Sequence, residues 1–252
     1  MEASREQPSG DSQEAVIGAR LAALRTRIDA AARRSGRTGA DVRVVAVTKT
    51  VASERICAAL AAGLEHLGEN RVQEALSHQA SVGSHCPQTA AQWHMIGHLQ
   101  RNKAKQVAAS FDRLDSLDSE GLAVALSSRL TSLGRELPVL LEVNVSGEAN
   151  KHGFPAQEDA LLASAREIAQ LPGLRIEGLM TIGPLHAHST QVRAAFRQLA
   201  ALRAAMRDAL PEQRWSVLSM GMSGDFEMAI EEGATEVRLG SALFGVRETR
   251  PA

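Results

Sequence analysis

Tyrosine is absent from this 252-residue chain, and aromatic residues make up only 3% of it. Chemistry that needs a phenol as acid or base is therefore closed to it, even by sharing with a second copy. Cysteine occurs twice, at Cys57 and Cys86, 29 positions apart and without CxxC spacing. That usage argues against a zinc site or a disulfide scaffold and for a reducing cytoplasm. No run approaches the roughly 20 apolar residues that cross a bilayer. The polar start MEASREQPSGDSQEA lacks the basic and apolar regions of a secretory leader. A net charge of −1 leaves no electrostatic case for nucleic acid or an anionic membrane as partner.

What is present is an ordinary globular composition, 44% hydrophobic and 23% charged, on a length that suits one α/β barrel. Residues 1–14 read as a disordered polar extension and residues 15–252 as one domain. From Ala15 to Arg34 the pattern predicts a helix, with Val16, Ile17, Leu21, Leu24 and Ile28 at helical spacing. Short apolar runs then alternate with helical patterns. The runs lie at 42–49, 64–70, 92–98, 111–118, 138–145, 174–180, 215–221 and 236–245. Several helical segments stop at glycine, as at Gly63 and Gly233. Eight strands alternating with helices predict a single (β/α)8 TIM barrel with an extra N-terminal helix. The competing open doubly wound sheet calls for a glycine-rich turn after its first strand, where this chain reads VTKT.

Lys49 stands where the first strand gives way to its loop, and barrel enzymes work at that end of their strands. Apolar strand residues beneath an amine favour its neutral, nucleophilic form. A lysine that opens a solvated loop explains the position equally well. The segments LSMGMSGD and RLGSALFG form the loops after the seventh and eighth strands, where such barrels hold phosphate. Gly221, Ser223, Gly224, Gly240 and Ser241 let backbone N–H groups approach an anion. Helix capping by Ser223 or Asp225 is the plainer account of the first loop. Together the lysine and the two loops suit a phosphorylated aldehyde without naming it.

The chain resembles the pyridoxal phosphate homeostasis protein family, related to the N-terminal barrel of bacterial alanine racemase. The blocks that carry the likeness are AVTKT (46–50), GENRVQEA (68–75), WHMIGHLQRNK (93–103), EVNVSGEANKHGF (142–154), GLMTIGP (178–184) and LSMGMSGDFEMAIEEGATEVRLGSALFG (218–245). The resemblance implies pyridoxal 5′-phosphate held as a Schiff base on Lys49. It implies phosphate contacts from Ser223, Gly240 and Ser241 with Met222 nearby, Asn70 beside the ring, and Arg238 facing the ring nitrogen. An arginine there makes the ring a poor electron sink, which suits storage better than catalysis. It further implies a non-enzymatic supplier of the cofactor to apo-forms of its enzymes, and the racemase's dimer contacts lie on a β-domain not found here, which favours a monomer. The departures are Arg71 where many members carry tyrosine, GHLQR (97–101) where others read GPLQS, and a longer N-terminal extension.

Two other classes stay open. A racemase needs a second proton-transfer group opposite the lysine, and no tyrosine exists to supply it. A class I aldolase would use Lys49 on a sugar-phosphate carbonyl. His94 and His98 alternate with Ile96 and are expected on one side of their strand, but no third residue shows metal-ligand spacing. The basic stretch RNKAK (101–105) reads as a solvated helical face and GEANKHG (147–153) as a loop at the catalytic end. Trp93 and Trp215 read as packing residues, as does Met228.

Overall fold

Runs rich in valine, leucine and isoleucine become strands because their stiff side chains pack well on a pleated surface. In the computed structural model, which describes residues 10–148, 151–184 and 187–245, each of the eight runs does so. The strands are β1 (Arg43–Val47), β2 (His66–Glu69), β3 (Gln92–Met95), β4 (Arg113–Leu117), β5 (Leu137–Asn144), β7 (Leu174–Met180), β8 (Val217–Ser219) and β9 (Glu236–Leu239). A two-residue strand, β6 (Phe154–Pro155), pairs with the end of β5. The eight pair in parallel in the order β4-β3-β2-β1-β9-β8-β7-β5, and β4 pairs with β5 to close the barrel.

The helices form the outer ring: α2 (Ser53–Ala61), α3 (Val72–His85), α4 (Ala104–Ser110), α5 (Glu120–Leu133), α6 (Glu158–Ala169), α7 (Ser189–Ala209), α8 (Phe226–Glu231) and α9 (Ser241–Phe244). The extra N-terminal helix, α1 (Gly10–Arg34), begins at Gly10 rather than near Ala15. The expected polar extension falls mostly on residues 1–9, outside the described residues. Ile17, Leu21, Leu24 and Ile28 are buried where α1 packs on α2, α8 and α9, whereas Val16 points to solvent. Gly63 and Gly233 end their helices with φ of 85° and 100°, conformations that glycine adopts without strain.

The two cysteines, expected to stay unpaired, are joined. Cys57 on α2 and Cys86 at the end of α3 form a disulfide, with Cα atoms 6.0 Å apart. Spacing hid the pair because α2 and α3 are neighbours on the outer ring. Cysteine usage therefore gives no support to a reducing compartment.

A closed barrel must fill its interior, and here the filling is partly ionic. Arg113 opens β4 and Glu236 opens β9, across the lumen from each other. The Arg113 guanidinium donates to Asp115 at 2.6 and 2.9 Å and to both oxygens of Glu236 at 2.6 Å. His94 Nδ1 lies 3.5 Å from Asp115, and His66 Nδ1 lies 3.0 Å from His94 Nε2. Arg113, Asp115, Glu236 and His94 are all buried. Charges this deep persist only when paired and hydrogen-bonded. The arginine and histidine hold the Asp115 carboxyl well below its usual range against the cost of burial. A small apolar cluster of Leu140, Met180 and Val217 occupies the opposite wall. There β7 and β8 approach so closely that a Cβ on Gly178 would stand 1.8 Å from the Val217 carbonyl.

Arg113→Met would leave Asp115 and Glu236 buried without their shared cation. It should cost about 3–5 kcal/mol at neutral pH in urea unfolding. The deficit should shrink as pH falls, since carboxyls that have lost their cation bind protons more readily when folded. A loss below about 1 kcal/mol would show that the ion cluster is dispensable.

Candidate functional site

Four adjacent strands, β8, β9, β1 and β2, end side by side, and the predicted site residues lie along that arc. Lys49 is half-buried in a turn directly after β1. The turn closes through Val51 N–H to the Thr48 carbonyl at 2.9 Å and holds Thr50 at a φ of 62°. A β-branched residue in that region is strained, so other contacts must impose it. Two such contacts exist. The Thr50 N–H donates to Glu74, and the buried Thr48 hydroxyl donates to Glu69 Oε1 at 2.6 Å. His78 Nδ1 lies 2.6 Å from the same oxygen, and this hydrogen bond raises the His78 pKa. The base of Lys49 is thus pinned to β2 and α3.

Asn70 follows β2 and lies beside this turn, since Thr48 N–H donates to the Gly68 carbonyl at 3.0 Å. Its Oδ1 is buried and has no hydrogen-bond partner. The backbone of Gly97 presses on it so closely that a Cβ at Gly97 would stand 2.5 Å from the Asn70 carbonyl. A buried acceptor without a donor is costly and marks a place where a ligand group fits.

On the other side of β1, Gly240 follows β9 at the level of Val47. A Cβ there would meet Val47 Cβ at 3.5 Å. The N–H groups of Gly240 and Ala242 both donate to the Ser223 hydroxyl oxygen, at 3.3 and 3.1 Å. Two backbone donors converging on one oxygen form the kind of concavity that accepts an anion. The Ser223 loop is shaped by Asp225, whose Oδ1 accepts from Met222 N–H at 2.6 Å. Asp225 precedes α8 as its cap residue but makes no side-chain hydrogen bond to the helix's first turn. Burial raises the Asp225 pKa. Gly221, at a φ of 92°, passes so close to α8 that a Cβ would stand 2.5 Å from Ala229 Cβ.

Arg238 is buried inside β9. Its two terminal nitrogens donate to Ser219 Oγ at 2.8 Å and to the Thr181 carbonyl at 2.7 Å. Burial lowers its pKa, while Asp115, Glu236, Glu142 and Asp225 act against that. The structure thus gathers Lys49, Asn70, Ser223, Arg238 and Gly240 on one rim. Met222 joins them through its backbone, with its side chain half-buried, and the Ser241 side chain is exposed on α9.

Sequence patterning missed the residues that support this set. Ser219 and Thr181 orient Arg238, and Glu69 anchors the Lys49 turn. Glu142 near the end of β5 is buried without an ion pair among the described residues, and burial first, then the negative Asp118, pushes it up to about 7. A polar residue at an inward position of an otherwise apolar strand was the available signal. His94 and His98 do not share a location: His94 is in the lumen, and His98 is largely exposed beyond the strand. A cavity of about 490 Å³ opens near the strand starts, lined by Arg25, Asp29, Arg43, Glu65 and His66, and contains none of the site residues. Its position at the opposite end from the strand-end loops makes it the weaker candidate.

Residues 19–248 match the family model of the alanine racemase N-terminal domain. The chain is 42% identical over 232 residues to the pyridoxal phosphate homeostasis protein of Pseudomonas aeruginosa, covering 92% of this chain and 96% of that one. It is 40% identical over 225 residues to the protein of the same name from Vibrio cholerae, covering 89% and 94%. PipY of Synechococcus elongatus, solved with pyridoxal phosphate bound, superposes with a TM-score of 0.79 at 35% identity, covering 91% of this chain and all of PipY. An alanine racemase of Clostridium difficile shares the fold, with a TM-score of 0.65 at 16% identity, and this chain covers 53% of it.

The raised Glu142 carboxyl makes a pH-dependent prediction. Its folded value of about 7 exceeds the ordinary 4.5, so its penalty is absent in acid and grows as pH rises to 7. Glu142→Gln should therefore stabilise the protein by about 3 kcal/mol at pH 8 and by under about 1 at pH 5. Equal effects at both pH values in urea unfolding would contradict this assignment.

Proposed function

The chain belongs to the alanine racemase N-terminal domain family and, within it, to the pyridoxal phosphate homeostasis proteins; on that footing we propose that it holds pyridoxal 5′-phosphate covalently on Lys49 and supplies it to other proteins. The observation that carries this reading is the rim arc. The N–H groups of Gly240 and Ala242, after the strand next to β1, converge on the Ser223 hydroxyl oxygen from the loop after β8. The orphaned Asn70 oxygen, on the residue after β2, adds a buried acceptor in the same arc.

When bound, the cofactor supplies an aldehyde that takes an amine and an aromatic ring that can draw electrons from an attached carbon. The chain's own residues divide the remaining work. Lys49 offers the amine, and its pinned turn keeps that amine near one place. Ser223, Gly240 and Ser241 would hold the phosphate, with Met222 closing the loop over it. Asn70 would approach the ring. Arg238, fixed by Ser219 and Thr181, would face the ring nitrogen and withhold a proton from it, which limits electron withdrawal. No tyrosine can serve as a second proton-transfer group. These features favour holding over turnover, so we assign a cofactor-supply role rather than racemase activity. Such a supplier works in the cytoplasm, as a monomer, on apo-forms of pyridoxal phosphate enzymes.

The purified protein, incubated with pyridoxal phosphate and desalted, should be yellow and should bleach with borohydride. Lys49→Ala should remain colourless, and Ser223→Ala should bind the cofactor more weakly while keeping the colour at saturation. Added L-alanine should yield no sustained D-alanine. A colourless wild-type protein overturns the covalent assignment, and steady D-alanine formation overturns the supply role in favour of a racemase.

A further inference from the structure

Three side chains from three different loops converge at the same rim, outside the set assigned to the cofactor. His98 follows β3, Asp118 follows β4, and His152 lies in the loop between β5 and β6. His98 Nδ1 is 2.7 Å and His152 Nδ1 is 3.8 Å from the same Asp118 oxygen, Oδ2. The two imidazole rings stack face to face, with centroids 3.6 Å apart and an interplanar angle of 10°. One ligand atom from each of the three residues lies within 4.8 Å of the other two.

Hydrogen bonding explains only part of this arrangement. The His98–Asp118 contact is a good hydrogen bond, but 3.8 Å is too long for one from His152. Two imidazoles stacked this closely also gain nothing if both carry a proton, because like charges then meet face to face. A shared cation accounts for the convergence of both Nδ1 atoms on one carboxylate oxygen, and it would turn the exposed rings out of their stack so that each in-plane lone pair meets the ion. Two ligands of one tetrahedral zinc ion at about 2.0–2.1 Å stand about 3.3 Å apart. The observed 2.7 and 3.8 Å bracket that separation. Asp118 is held in a suitable orientation, because its Oδ1 accepts from the Ser119 hydroxyl at 3.1 Å and leaves Oδ2 to both rings. Its side chain is 7% exposed, while the two histidines are 42% and 56% exposed, so the remaining coordination positions open to water.

We propose that His98, Asp118 and His152 form a binding site for a divalent cation of the zinc class. Two imidazoles and one carboxylate suit such borderline ions and discriminate against magnesium and calcium, which prefer all-oxygen shells. Three protein ligands with open positions describe a site that still accepts water or a small ligand. The bound ion would tie the His152 loop to the ends of β3 and β4. None of the three residues is assigned to the cofactor, so the cation site stands independently of the cofactor reading.

The test uses full-length protein freed of any purification tag and stripped with chelator, titrated with Zn²⁺ in a calorimeter without pyridoxal phosphate. The wild type should bind one ion per chain, and Lys49→Ala should bind it equally well. His98→Ala and His152→Ala should each weaken binding at least about tenfold, since even outer-sphere partners of a metal cost that much. Both histidines are exposed, so far-UV circular dichroism should be unchanged and metal-free melting should fall only slightly, through the lost His98–Asp118 hydrogen bond, and His152→Asn gives a milder second variant. In Co²⁺-loaded protein, the visible ligand-field bands should disappear with either histidine. Absence of binding by the wild type overturns the proposal. So does binding that is indifferent to His98 and His152.

Discussion

The pairing of β4 with β5 closes the sheet, and most other features follow from that closure. A closed parallel barrel has no free edge and directs the C-terminal end of every strand to one rim. It also creates an interior that side chains must fill without leaving charge unpaired. This chain meets that demand with Arg113 shared between Asp115 and Glu236, and with Leu140, Met180 and Val217 elsewhere in the lumen. The rim then receives residues that are far apart in sequence. Lys49 and Gly240 stand 191 positions apart (240 − 49) yet border neighbouring strands.

The rim residues fit the proposed holding role. Lys49 rides on a turn whose strained Thr50 is imposed by Glu74, Thr48 and Glu69. Ser223 already collects two N–H groups at a position where an anionic oxygen would be favourably placed. Arg238 is buried, and hydrogen bonds from both terminal nitrogens to Ser219 and Thr181 restrict its movement. A rigid anchor, an anion cradle and a restrained arginine suit retention of a reactive aldehyde. They provide one amine as a base and no tyrosine to oppose it.

Much of this was legible in the sequence. Each of the eight apolar runs is a strand, and Gly63 and Gly233 end helices as expected. The predicted rim residues share one arc because strand ends are easy to locate from the apolar pattern. The unread features have a common cause. Arg113, Asp115 and Glu236 break the apolar pattern of their strands, and a charged strand residue reads as solvent-facing until closure places it inside. Cys57 with Cys86, and His98 with Asp118 and His152, are pairings between separate elements. Linear spacing carries no trace of them, whereas the ring order of helices and loops does. Residue-level resemblance to the family supplied roles that periodicity could not, notably for Asn70 and Arg238.

The chain has four lysines, Lys49, Lys103, Lys105 and Lys151, so the anchor can be identified by chemistry alone. The most direct measurement is peptide mapping by mass spectrometry after the protein, loaded with pyridoxal phosphate, is reduced with borohydride. A stable phosphopyridoxyl mass should appear on Lys49 at one group per chain. A label on Lys103, Lys105 or Lys151 with Lys49 unmodified would contradict it.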